Sequence, residues 1–247
     1  METTHRCYAH PPIQEAVCEF RFPEALPWDM ATPGLLFPGL KGDYPVRKQR
    51  TDAEPRLVQN TKGEPALTFA KVERIAYSAE DGKSFVQVGP RAVSVHKLSP
   101  YSSWEDFRGK VTRVHSVLLD VVGATPLERV GLRYINRLEA VNSPADLSDF
   151  LRFRPECGPG VTEPMSNVQM ACTFGARGGA DSYRVMLVSL VPDDEQKAAL
   201  ALDIDYFTCT PGVVKYDSVL AWVEAAHSKV ESVFEGCITD KLRGLFR

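Results

Sequence analysis

The strongest constraint on the fold is a strand-like stretch just past the middle of the chain, RVGLRYINRLE at residues 129–139. Successive side chains of a strand point to opposite faces of a sheet. One face of this stretch carries Val130, Leu132, Tyr134, Asn136 and Leu138, and the other carries Arg129, Arg133 and Arg137. We therefore expect a core face interrupted by one amide, and we call the opposite side the arginine face.

Before and after this strand the same order of elements appears, a run of strands that ends in a long amphipathic helix. In the first half, strands are predicted at residues 15–22, 46–52, 65–75, 85–88 and 92–98. A short helix is allowed at residues 28–36, and the long helix begins after Ser102 or Ser103 and ends at Gly123. In the second half, a short helix is predicted at 145–153, strands at 168–174, 182–191 and 198–209, and a helix over 218–246.

These elements predict one α+β domain over residues 1–247, composed of a half at 13–123 and a half at 127–247. Two such halves would form one antiparallel sheet of roughly eight to ten strands, with both long helices on one face. We expect a saddle-like sheet with a pseudo-twofold relation between the halves. The face without helices would then be the arginine face.

Composition excludes few functions. The net charge of −3 gives no overall attraction to nucleic acid or to an anionic membrane. No apolar run approaches the ~18 residues that a membrane span needs, and METTHRCYAH at the amino terminus is unlike a secretion signal. A cytoplasmic protein is expected. The six cysteines contain no CxxC pair, so neither a metal site nor a cofactor is predicted.

The candidate site is the arginine face, where we expect Arg21, Arg133 and Arg137 together with two carboxylates. Asp203 and Asp205 stand two residues apart in LDID, so both carboxylates point the same way. Three interpretations stay open. The face carries structural cross-strand ion pairs, or it binds a partner segment or an anionic ligand through the arginines, or the two aspartates hold a divalent metal for phosphodiester hydrolysis.

Several stretches together resemble a sporadically distributed family of prokaryotic proteins of about this length. The stretches are PPIQEAVCEFRF at 11–22, Tyr101 and Trp104, GLRYINR at 131–137, LDID at 202–205, and His227 followed by FE and ITDK at 234–241. The resemblance covers essentially the whole chain and brings no catalytic residues with it. It implies an accessory protein of an antiphage system, CRISPR-associated systems included, that acts beside other products of its operon.

From these observations we predict a non-catalytic binding or regulatory module with a protein partner. The partner would meet the arginine face or the proline-rich segment that carries Trp28 and Phe37, because exposed aromatic residues beside arginines are typical of interface hot spots. The first alternative is a nucleic-acid or nucleotide binder that uses Arg21, Arg133 and Arg137. The second is a metal-dependent phosphodiesterase at Asp203 and Asp205. A homodimer is compatible with each hypothesis.

Overall fold

The computed structural model of the protein describes residues 8–59, 65–141, 147–163, 165–191 and 198–246. Within these ranges the chain forms one antiparallel sheet of nine strands and five α-helices, which confirms the predicted α+β class. The strands are β1 (Ile13–Arg21), β2 (Val46–Gln59), β3 (Pro65–Ser78), β4 (Ser84–Gly89), β5 (Ala92–Leu98), β6 (Arg129–Val141), β7 (Gln169–Ala176), β8 (Asp181–Leu190) and β9 (Ala198–Thr208). The helices are α1 (Thr32–Leu40), α2 (Trp104–Val122), α3 (Leu147–Phe150), α4 (Val219–Cys237) and α5 (Asp240–Arg243).

The strands lie in the order β2-β3-β4-β5-β1-β6-β9-β8-β7. The strand that organises the sequence, β6, therefore lies near the middle of the sheet, between β1 and β9. Its register with β1 pairs Cys18 with Leu132 and Phe20 with Val130. Strands from residues 13–98 occupy one side of this pairing, and strands from residues 129–208 occupy the other.

Alternation of apolar side chains explains how the central strands are buried. In β1 the side chains of Ala16, Cys18 and Phe20 are fully buried, while Glu15, Val17 and Glu19 between them are partly exposed. The ring of Phe20 lies 6.0 Å from the imidazole of His115 in α2. Helix α2 thus contacts the apolar side of β1.

The helix α2 begins and ends where the sequence predicts. The hydroxyl of Ser103 caps it by accepting a hydrogen bond from the backbone N–H of Asp106. Gly123 ends it with a φ of 71°, a left-handed conformation that favours glycine. None of the helices in the described ranges combines the length and the apolar character that crossing a bilayer requires.

The carboxyl-terminal helix differs from its prediction, which extended it to residue 246. Helix α4 ends at Cys237, and Ile238 adopts an extended conformation that forms a β-bridge with Leu151. Thr239 then caps the separate helix α5 by accepting from the backbone N–H of Leu242. The helical spacing of apolar residues in the sequence continues past Cys237, but the helix is interrupted where Ile238 pairs with Leu151.

Other predicted boundaries shift by a few residues. The first helix lies at Thr32–Leu40 rather than 28–36, and β2 and β3 are longer than predicted. The helix predicted at 145–153 is helical only at Leu147–Phe150, and residues 145 and 146 lie outside the described residues. Residues 1–7 also lie outside the described residues.

We expect Phe20→Ala to destabilise the protein by about 3–5 kcal/mol, because it leaves a cavity where β1 meets α2. Phe20 is fully buried. Chemical denaturation measures the free energy of unfolding. Leu119→Ala is the control, since Leu119 of α2 is 43% exposed. It should change the free energy of unfolding by no more than about 0.5 kcal/mol. Equal losses would contradict the assignment of the core face.

Candidate functional site

The register places four of the predicted site residues on the arginine face of adjacent strands. Arg21 of β1 pairs with Arg129 of β6, and Arg133 of β6 pairs with Asp205 of β9. Asp203 is two residues from Asp205 in the same strand and therefore shares its face. The arginines and the aspartates that the sequence singled out are thus neighbours.

Arg129 is the central side chain of this group. Its guanidinium donates hydrogen bonds to Oε1 of Glu19 at 2.8 Å and to Oδ2 of Asp205 at 2.9 Å. It also lies over the ring of Phe207, 4.7 Å from the ring centre. Gly131 makes this position possible, because a Cβ atom there would lie 2.6 Å from Nη1 of Arg129. Two carboxylates and one ring therefore fix the guanidinium across β6.

Arg133 forms the second ion pair. Its Nε donates to Oδ1 of Asp203 at 2.8 Å and its Nη2 to Oδ2 at 2.6 Å, a bidentate arrangement. Asp203 is 4% exposed, so this pair supplies hydrogen bonds to a carboxylate that is nearly buried. Burial raises the pKa of Asp205, against the opposing effect of the positive charges of Arg129 and Arg133.

Arg21 and Arg184 are the more exposed arginines of this face, whereas Arg137 is partly buried. Arg21 is half exposed, and its guanidinium reaches Glu19 of its own strand at 3.3 Å. Arg184 of β8 is exposed and forms no hydrogen bond or ion pair with another described residue. Arg137 donates to Glu139 at 2.5 Å, near the far end of β6.

Together these side chains surround a groove of about 440 Å³ on the arginine face, which we call the arginine groove. Its charged lining consists of Arg21, Arg129, Arg133, Arg184, Glu19 and Asp205. Four guanidinium groups thus face two carboxylates in the lining, and Asp203, which Arg133 binds, adds a third, so this group carries one excess positive charge although the whole chain is negative. Such a groove can receive an anionic group and offer it several N–H donors.

Trp28 and Phe37, the aromatic residues of the proline-rich segment, lie away from the arginine groove. The ring of Trp28 packs against Phe22 at 5.3 Å, and the ring of Phe37 stacks on Tyr77 at 5.2 Å. Both are partly buried against the apolar core. The structure therefore does not bring Trp28 or Phe37 into the arginine groove, where the aromatic residue is Phe207.

The part of the chain that the structure describes contains no set of ligands for a metal ion. The carboxylates of Asp203 and Asp205 are each engaged by a guanidinium. Among the described residues, no three histidine, cysteine or acidic side chains gather into a group that could hold a metal ion. The aspartate pair is thus built into the ion-pair network of the sheet.

A second cavity, of about 530 Å³, was not predicted from the sequence. It lies between the segment before β1, the start of α2 and the helix α4. Tyr134, Trp104 and His227 contribute to its lining, and the rings of Trp104 and His227 stack on each other. In the sequence, each of the three has the pattern of an ordinary core residue. Nothing in the local sequence pattern indicates that these three residues meet around open space.

No family model matches this chain, and no curated protein matches it. The resemblance described from the sequence motifs stays a prediction.

We expect Arg133→Met to destabilise the protein by about 2–3 kcal/mol, because it leaves the buried carboxylate of Asp203 without its partner. The double variant Arg133→Met/Asp203→Leu should recover most of this loss, since it removes both charges. Equilibrium unfolding measures both. Arg184→Met is the control and should stay within about 0.5 kcal/mol of the parent. A double variant no more stable than Arg133→Met would show that the ion pair is not the cause.

Proposed function

We propose that the protein is a non-catalytic binding module that receives an acidic segment of a protein partner in the arginine groove. The observation that carries this proposal is the charge of the lining, in which four guanidinium groups face two carboxylates. Arg21 and Arg184 are the exposed members, and their N–H groups are available to a carboxylate of a partner.

The fixed arginines favour binding because their positions need little further ordering. Arg129 and Arg133 are each held by carboxylates at hydrogen-bonding distance, so a partner does not have to immobilise them. Ordering long side chains at an interface otherwise costs roughly 0.5–1.5 kcal/mol for each side chain. The same ion pairs engage Asp203 and Asp205, so the phosphodiesterase hypothesis gains no support from the site.

The shape of the groove supports an extended segment as the ligand. Its lining residues come from five neighbouring strands, from Val17 of β1 to Thr173 of β7. Glu19 and Asp205 in the lining would repel a continuous phosphate backbone, whereas a protein segment can place its acidic and its donor groups separately. The ring of Phe207 is already covered by Arg129, which leaves less of it for base stacking.

The sequence resemblance adds the expected setting of this module. It implies a partner encoded in the same operon and a role in bacterial defence against phage. A cytoplasmic location is part of the proposal. The free thiols of Cys18, Cys157, Cys172, Cys209 and Cys237 support it, since disulfide bonds are rare in that compartment.

We also propose that the two halves, 13–123 and 127–247, share one plan related by a pseudo-twofold axis in a saddle-like sheet. The order β1-β5-β4-β3 in one half and β6-β9-β8-β7 in the other supports this, because each half begins at the centre and adds its strands in the same relative order. Both long helices would cover one face. The contacts of Phe20 with His115 and of Tyr134 with His227 support that placement.

We expect the double variant Arg21→Glu/Arg184→Glu to lose the partner, with affinity lowered by at least about tenfold, because both substitutions place negative charge against an acidic segment. The measurement is affinity purification of the tagged protein from its native host, followed by mass spectrometry of the retained protein and nucleic acid. A binding assay with the identified protein then gives the change in affinity.

The control is Arg152→Glu paired with Arg108→Glu, which changes the charge equally at exposed positions outside the groove. This control should keep the partner, and all variants should retain the thermal stability of a folded protein. Full retention of the partner by the groove variant would contradict the proposal. Recovery of RNA or DNA, with binding that falls steeply as salt rises, would instead support the nucleic-acid hypothesis.

A further inference from the structure

The cavity of about 530 Å³ at the opposite side of the sheet has a well-defined construction, and we call it the aromatic cavity. Tyr134 and Asn136 of β6 supply its floor. Trp104 at the start of α2 and His227 of α4 supply its walls. Its volume lies within the range of roughly 300–1,000 Å³ that small-molecule sites occupy in proteins.

Aromatic rings dominate the surroundings of this cavity. The ring of Trp104 stacks on the imidazole of His227, with centres 3.9 Å apart and planes 9° from parallel. The hydroxyl of Tyr134 hydrogen-bonds Nδ1 of His227 at 3.1 Å and the hydroxyl of Tyr101 at 3.2 Å. Burial raises the pKa of both tyrosines well above the ordinary value, so they stay uncharged. Tyr8 and Phe234 complete the aromatic lining.

The main hydrogen-bond donors of this lining are already used within the protein. Nε1 of Trp104 donates to Oε1 of Glu224 at 3.0 Å. Nδ2 of Asn136 donates to the carbonyl of Leu202 at 3.0 Å. Oδ1 of Asn136 accepts no hydrogen bond from the described residues, although Asn136 is only 3% exposed. The cavity is therefore lined by hydrogen-bond acceptors and aromatic rings.

The charges around the cavity are mostly negative. Four carboxylates line it, those of Glu105, Glu224, Glu231 and Glu235, against the single guanidinium of Arg243. Arg243 donates to Glu235 at 2.7 Å, so the charges of these two residues offset each other. Arg108, outside the lining, reaches Glu224 at 3.3 Å, and Nε2 of His227 lies 3.3 Å from Glu231. Hydrogen bonds from its own backbone N–H and from Ser103 hold the pKa of Glu105 below its usual range, so it is ionised at neutral pH.

We propose that the aromatic cavity binds a small organic ammonium ion. Ring faces attract a cation through their quadrupole, the carboxylates neutralise its charge, and Oδ1 of Asn136 accepts one of its polar hydrogens. A neutral ligand would use only the apolar part of this lining, and an anion would meet four carboxylates. The aromatic cavity shares no lining residue with the arginine groove, so a test of one proposal does not decide the other.

Isothermal titration calorimetry with four probes tests this proposal on the full chain. Choline and n-butylammonium are the cations, and 3,3-dimethylbutan-1-ol and n-butanol are their neutral counterparts. At least one cation should bind about tenfold or more tightly than its counterpart. Glu105→Gln and Glu224→Gln should each weaken that cation by about threefold or more, because each removes a charge and keeps the shape of the side chain.

Glu156→Gln is the matched control, since it neutralises an exposed carboxylate that does not line the cavity. It should leave the affinity for the cation unchanged. Equal affinities for a cation and its neutral counterpart would overturn the proposal, and so would an absence of saturable binding by both cations. Binding that is equally strong in all three variants would place the cation elsewhere on the protein.

Discussion

The pairing of β1 with β6 is the contact on which the rest of the structure depends. These two strands are 108 residues apart at the pair Arg21 and Arg129, yet their register decides what lies on both sides of the sheet. On one side it joins Phe20 to Val130 in the core. On the other it brings Glu19 beside Arg129, which in turn reaches Asp205 of the next strand. A shift of β1 by one residue would move its charged side chains, Glu19 and Arg21, into the apolar layer.

The two candidate sites lie on opposite sides of the same strand, and the charges of their linings are opposite. Arg133 of β6 faces the arginine groove, whereas Tyr134 and Asn136 reach the aromatic cavity. One side offers guanidinium donors, and the other offers carboxylates and ring faces. Strand β6 thus contributes adjacent residues to the proposed anion-binding groove and to the proposed cation-binding cavity, although the net charge of the chain is small.

Local sequence patterns predicted the features that depend on neighbouring residues, namely which side chains share a face of a strand and where a helix begins and ends. The alternation from 129 to 139 identified both faces of β6, and Ser103 and Gly123 identified the ends of α2. The pattern did not predict that Arg129 is held by Glu19 and Asp205, because those partners depend on the register of three strands. The end of α4 was missed for a similar reason, since the bridge between Leu151 and Ile238 is long-range. The aromatic cavity depends on residues that meet only after folding.

The outer hairpin of the sheet has a consequence for how the sheet could be extended. Strand β2 is the last strand in the order on its side, and β3 is its partner among the described strands. The first residues of β2 carry the exposed basic side chains of Arg47, Lys48 and Arg50. Charged side chains on an edge strand oppose edge-to-edge pairing, so they disfavour the addition of a further strand at β2.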